Sequence, residues 1–239
     1  MDMAGLGTLI NAAGIAAGGI MGLVFGKFMK ERYQDTLTMA CGLSVIFIGI
    51  AGTMEKMMVI TQDGLTTQGT MMVIGSFTLG SLAGEWLNIE YYLEQFGTWL
   101  KARTKSEDSR FVDAFVTASL TVCIGAMAVV GAIRDGIYGD YSILTAKAVL
   151  DLIIIMVMTA SMGKGCVFSA IPVALFQGSV TLLARLVEPI MTQSALDNLS
   201  LTGSMLIFCV GVNLIWGKKV KVANMLPTLL IAVAWSAVT

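Results

Sequence analysis

Tyr141-Ser-Ile-Leu-Thr-Ala-Lys147-Ala-Val-Leu-Asp151-Leu-Ile-Ile-Ile-Met-Val-Met-Thr-Ala-Ser-Met162 is almost wholly apolar apart from one basic and one acidic side chain. A helix needs about twenty apolar residues, each rising ~1.5 Å, to cross a hydrocarbon core ~30 Å thick. The stretch therefore reads as a membrane span. Lys147 and Asp151 are four residues apart, which places both on one face of that helix.

Similar runs recur on either side. The expected spans are 5–26, 36–54, 69–89, 112–133, 143–162, 166–187, 199–216 and 222–238. Gly163-Lys164-Gly165 is the only turn signal between the fifth and sixth, so a shorter re-entrant segment there stays open. The fold class this implies is an all-α polytopic membrane helical bundle with about eight transmembrane helices, forming one membrane domain over residues 1–239. Composition agrees: 56% of residues are hydrophobic and 13% charged, against about 25% charged in a soluble domain. Mean hydropathy is +0.81. The first, third, fifth and seventh connections hold eleven Lys and Arg residues, and the other three hold four. Basic residues accumulate on the cytoplasmic side, so both termini are expected outside the cytoplasm. The first residues contain Asp2 and no basic residue, so Leu6–Phe25 reads as a retained helix rather than a cleaved leader.

One segment has a pattern without being a span. Within 88–103, Ile89, Leu93, Phe96 and Leu100 recur at helical spacing, with Tyr91, Tyr92 and Trp99 beside them. Joined to the third span it would exceed the bilayer thickness, so it is expected to lie as an amphipathic helix on the cytoplasmic interface. The competing reading is a solvated continuation of the third helix.

Several function classes are disfavoured. Net charge is -1, which gives no case for nucleic acid as a partner. With no His in the chain, imidazole bases and His-metal sites are absent. Cys41, Cys123, Cys166 and Cys209 each fall within an apolar run without CxxC spacing, as small hydrophobes do. No metal site, no cofactor and no enzymatic activity is expected.

Weak internal similarity links the second, fourth and seventh spans. They read Gly42-Leu-Ser-Val-Ile-Phe-Ile-Gly49, Ala118-Ser-Leu-Thr-Val-Cys-Ile-Gly125 and Ser204-Met-Leu-Ile-Phe-Cys-Val-Gly211. Lys147–Asp151 likewise aligns with Ala223–Pro227. The pattern suggests a hairpin followed by two inverted three-helix repeats, an arrangement that recurs in secondary transporters. Other runs carry a resemblance. Arg110-Phe-Val-Asp-Ala-Phe-Val-Thr-Ala-Ser119 and Cys123-Ile-Gly-Ala-Met-Ala-Val-Val-Gly-Ala-Ile-Arg-Asp-Gly136 resemble the signature of the YqgA/YdfK family of bacterial inner-membrane proteins. Gly7-Thr-Leu-Ile-Asn11, Gly84-Glu85, Gln177-Gly178, Gly211-Val-Asn213 and Val222-Ala-Asn224-Met-Leu-Pro227 fit it too. The resemblance implies a bacterial cytoplasmic membrane location. That family has no established function, so no site residue is carried over.

Polar groups inside spans are the functional candidates, because hydrocarbon offers them no water. Asp151 is the sharpest; beside Lys147 it either serves a cation, proton or amine, or only pairs within its helix. Glu85 is a second carboxylate, one turn from the cytoplasmic end, where it could instead reach the headgroups. Asp113 reads as a local partner of Arg110. Asn11, Gln177 and Asn213 are amides at membrane depth, suited to helix–helix bonds or to a solute path. Pro172 and Pro227 are candidates for broken helices, since a proline frees a carbonyl. Gly14, Gly18, Gly22 and Gly26, with Gly80 and Gly84, form small-residue stripes that admit a neighbouring backbone, within the chain or in a homo-oligomer. Together these features favour a transporter or channel for a small ion or polar solute. The alternative is a structural or regulatory membrane protein that binds a partner or lipid.

Overall fold

The computed structural model describes residues 5–62 and 64–237. The final residue of the expected 222–238 span lies outside the described residues.

The chain runs through α1 (Leu6–Lys27), α2 (Glu31–Met57), β1 (Met58–Thr61), β2 (Gly64–Thr67), α3 (Thr70–Leu87) and α4 (Ile89–Arg103). It continues with α5 (Phe111–Cys123), α6 (Ala126–Tyr138), α7 (Ser142–Met162), α8 (Ala170–Leu182), α9 (Ala184–Val187), α10 (Gln193–Trp216) and α11 (Pro227–Trp235). Short 3-10 turns at Lys164–Ser169 and Ala223–Met225 lead into α8 and α11. Among the described residues, α1, α2, α7, Lys164–Leu182 and α10 are each long and apolar enough to cross a membrane, which makes five, and α5 with α6 brings the number to six. The third and eighth expected spans correspond to α3 and α11, which fall outside that set. Large apolar side chains such as Leu9, Phe47, Leu82 and Leu182 are exposed on the outer faces, as lipid contact requires.

Three close helix pairs organise the bundle. Going along α1, a Cβ added at Gly14 would meet Ala148, at Gly18 Leu152, at Gly22 Met156 and Thr159, and at Gly26 Ala160. The partner numbers rise together, so α1 and α7 are parallel and their backbones touch along the whole stripe. Gly42 and Gly49 of α2 meet Ile215 and Phe208 of α10 in descending order, an antiparallel pair. Gly75, Gly80 and Gly84 of α3 meet Trp235, Thr228 and Asn224 in the same antiparallel sense. Phe111, Phe115, Ile155, Met158, Val173 and Leu206 fill the centre between these pairs.

The structure departs from the sequence expectations in four places. The fourth span, expected as one helix over 112–133, is two helices bent by 63° at Ile124-Gly125. Gly125 adopts φ 150° and ψ 148°, which a residue with a Cβ rarely enters, so the apolar run cannot continue as a helix there. Second, the fold is not purely helical. Met58–Thr61 pairs antiparallel with Gly64–Thr67 in a short hairpin whose last ladder pair is Thr61 with Gly64. Third, α2 and α10 extend beyond their expected apolar limits, to 31–57 and 193–216. Thr192 accepts from Ala195 N at 3.2 Å and caps the earlier start of α10. Fourth, the aligned repeat glycines are not equivalent in space. Gly125 sits at a break, whereas Gly211 lies inside the continuous α10 against Ile46 and Gly42. By contrast, α4 is a separate helix: Asn88, at φ 51°, turns the chain after α3. Ile89, Leu93, Phe96 and Leu100 face the core while Tyr91, Tyr92 and Trp99 are exposed.

Candidate functional site

The break at Gly125 exposes backbone. In a continuous helix the Val122 carbonyl would accept from the amide four residues on. Here it accepts from Lys147 Nζ at 2.9 Å instead. The same ammonium donates to Asp151 Oδ2 at 2.5 Å. Lys147 and Asp151 are only 7% and 4% exposed, so the pair is held away from both lipid and water. Parallel packing of α1 on α7 positions it, and the α5–α6 bend brings the carbonyl to it.

Amides surround this centre. Asn11 on α1 lies beside the Asp151 carboxylate and donates through Nδ2 to Gln177 Oε1 of α8 at 3.1 Å. Both amides are fully buried, and Asn11 Oδ1 and Gln177 Nε2 have no partner among the described residues. One turn further along, the Thr8 and Thr181 hydroxyls meet at 3.3 Å. Beyond them Gly7 N donates to Asp135 Oδ2 at 3.1 Å. Asp135 is fully buried near the end of α6, and its carboxyl oxygen takes up a free amide at the start of α1, which has no side-chain cap of its own. A polar seam thus runs inside α1, α6, α7 and α8, from Asp135 through Thr8, Asn11 and Gln177 to Asp151 and Lys147.

Cavities approach the seam from opposite ends of the bundle. One, of about 610 Å³, is lined by Thr8, Gly136, Gly178, Thr181 and Arg185 and ends at the threonine pair. Another, of about 460 Å³, opens beside the loops that follow α1, α4 and α10. Asp113, Val116, Thr117 and Leu120 line one wall, a single face of α5 leading toward Val122. Its mouth carries Asp35, Glu90 and Glu94 with Arg110 and Lys218. Lys218 pairs with the buried Glu90 carboxylate at 2.5 Å and also with Glu94. Burial of the Lys218 ammonium opposes its charge, but the two carboxylates outweigh that and hold its pKa above the ordinary lysine value. Arg110 and Asp113 line this cavity without the expected ion pair among the described residues; Arg110 instead reaches Gln34 Oε1 at 3.5 Å.

The sequence candidates divide accordingly. Asp151, Asn11 and Gln177 come together. Glu85 stands apart, its side chain 56% exposed, bonded to Lys221 Nζ at 2.6 Å and to Asn224 Nδ2 at 2.7 Å. It ties α3 to the segment before α11. Asn213 is apart from the Lys147–Asp151 pair but lines the cavity of about 460 Å³. Its Oδ1 accepts from Lys219 N and Val220 N, and its Nδ2 donates to Val220 O, closing the turn after α10. Pro172 and Pro227 sit in the first turns of α8 and α11, just past the two 3-10 segments, while the pronounced break occurs at Gly125 without proline. Gly14, Gly18, Gly22 and Gly26 face α7, and Gly80 and Gly84 face Thr228 and Asn224. Asp135 and the Val122 carbonyl were missed from the sequence. Asp135 lay beyond the expected end of the fourth span and read as loop, and the carbonyl is a product of the break.

Comparison with known proteins gives consistent matches over nearly the whole chain. The family described as a protein of unknown function (DUF554) matches residues 6–237. The chain is 31% identical over 225 residues to the uncharacterized membrane protein YdfK of Bacillus subtilis (strain 168), covering 94% of this chain and 93% of that one. It is 29% identical over 237 residues to the uncharacterized protein YqgA of Escherichia coli (strain K12), covering 97% and 96%. No solved structure matches.

Proposed function

The chain belongs to the DUF554 family, and from that premise we propose that it is a non-enzymatic transporter or channel for a small ion or polar solute. The single observation that carries the reading is the Lys147–Asp151 pair, bonded to a carbonyl freed by a helix break. Buried charges are rare in membrane spans and concentrate where solutes or protons pass. Non-helical backbone at membrane depth belongs to the same places. Cavities that end short of the pair on either side support a closed pathway with its site in the middle. The proposal includes eight crossings, with the α5–α6 pair, α3 and α11 each counted once, both termini outside and a bacterial inner membrane. It does not depend on the three-helix repeat. The structural or lipid-binding alternative is served by the tight glycine contacts, which would suit a solid bundle equally well.

Cysteine labelling separates the two. In a variant lacking the four native cysteines, Thr117→Cys should react with a membrane-impermeant thiol reagent from the cytoplasmic side. Thr181→Cys should react from the opposite side. If neither reacts while an exposed control such as Tyr138→Cys does, no pathway exists and the scaffold reading replaces it.

A further inference from the structure

The centre of the seam is electrically self-balanced: one ammonium, one carboxylate and one backbone dipole. We propose that its solute is a small zwitterion bearing a primary ammonium and a carboxylate. The ammonium would bind Asp151 and the Val122 carbonyl, and the carboxylate would bind Lys147. This rests on the transport reading above and narrows its substrate.

The contacts of Lys147 show what the acceptors accommodate. Its Nζ is itself a primary ammonium, held by Asp151 Oδ2 at 2.5 Å and Val122 O at 2.9 Å. A solute ammonium taking that place leaves Lys147 without its partner, and a carboxylate on the same solute restores it. Charge balance argues the same way. A lone cation in this buried centre leaves a net positive charge, and a lone anion a net negative one, each costly away from water. A zwitterion leaves the net charge of the Lys147–Asp151 pair unchanged. Asn11 Oδ1, on the residue beside Asp151, and Nε2 of Gln177, bonded to Asn11, are an acceptor and a donor that are fully buried and unpartnered among the described residues. They are polar groups of the kind a polar ligand satisfies. The cavity leading along α5 is lined by Asp35, Glu90, Glu94 and Asp113 against Arg110 and Lys218, an acidic excess that draws in the ammonium end of a zwitterion and opposes a lone anion. Neither of the two cavities has Lys147 or Asp151 in its lining, so the pair must open to admit a solute, which favours the smallest members of the class.

Glycine and L-alanine are the probes, with ethylamine and propionate as analogues that keep one charge each. Purified full-length protein should show a melting temperature that rises with the logarithm of glycine or alanine concentration. Ethylamine, propionate, sodium chloride and potassium chloride should leave it unchanged at matched concentrations. Lys147→Met leaves the carboxylate and carbonyl alone, so it should exchange the response to alanine for one to ethylamine. A purely structural ion pair predicts no such exchange. If that variant does not fold, the paired Lys147→Met/Asp151→Leu change removes both charges together, and it should melt cooperatively without any alanine response. A wild-type shift with ethylamine or propionate as large as that with alanine overturns the proposal. So does no shift with either amino acid, or a response that survives the paired change. Labelling at Thr117→Cys and Thr181→Cys reads the pathway independently of the solute. Positive labelling without an alanine response therefore rejects the zwitterion and keeps transport, and failure of both rejects both.

Discussion

Replacing Gly18 by Ala tests how closely α1 and α7 approach. The added Cβ would lie 2.9 Å from Leu152 C and Cα and nearer still to Leu152 O, all of them backbone atoms that no rotamer change removes. Ordinary contact begins near 3.4 Å, so the helices must separate locally. Overpacking of this kind costs about 3 kcal/mol at the upper end of its usual range. Alanine's better helix propensity returns about 1 kcal/mol, leaving a loss of about 2 kcal/mol. For a chain of this size that corresponds to roughly 4–8 °C in melting temperature. The ends of the stripe behave differently. A Cβ at Gly14 meets Ala148 O at 3.0 Å, and one at Gly26 meets Ala160 O at 3.1 Å. Shifts of a few tenths of an ångström relieve both, so those changes should stay within about 0.5 kcal/mol of wild type once propensity is counted. Ala17→Leu, on the exposed face, is the control. The assay is the monodisperse fraction by size-exclusion chromatography after heating detergent-purified variants. Equal loss at Gly14, Gly18 and Gly26, or none at Gly18, would refute the parallel α1–α7 contact.

Asp151→Asn and Lys147→Met each leave one member of a buried pair alone and should cost about 3–5 kcal/mol. The Lys147→Met/Asp151→Leu double change should melt near wild type, and additive losses would show that the charges do not compensate each other. Gly84→Ala should lower folded yield sharply, because its Cβ would lie 2.6 Å from Asn224 C and closer to Asn224 O; wild-type yield would place α3 away from the turn before α11. Gly125→Ala meets no neighbour within 4 Å, so its penalty is backbone strain alone, about 1–3 kcal/mol. Unchanged melting would mean that residue 125 does not hold this conformation. A reporter active only in the cytoplasm should give signal when fused after Lys105 and none after Gln62, and the reverse pair of results would invert the orientation.

Apolar length and periodicity made much of this architecture readable from residues alone. The Tyr141–Met162 run declares a helix because bilayer thickness sets its length, and Lys147 and Asp151 share a face because the α-helical period is local. The separate α4 follows from its apolar spacing, since a single helix through 103 would overrun the membrane. The glycine stripe shows that α1 admits a close neighbour. It does not say which one, and only the folded chain identifies α7. Glu85 ranked second to Asp151 in sequence, one turn from the cytoplasmic end, and which partners it takes was not legible: Lys221 and Asn224, more than a hundred residues away, reach it at the surface. The break at Gly125 carries no local signal: no proline marks it, and glycines are common in membrane helices that stay straight. Asp135 reads as a loop residue until the start of α1 arrives above it. What the sequence determined by itself was set by solvent and by neighbours within a turn or two. The unpaired carbonyl, the partner of each glycine and the meeting of Asn11, Gln177 and Asp151 were decided by contacts between distant segments, because which buried polar groups satisfy one another depends on how whole helices pack.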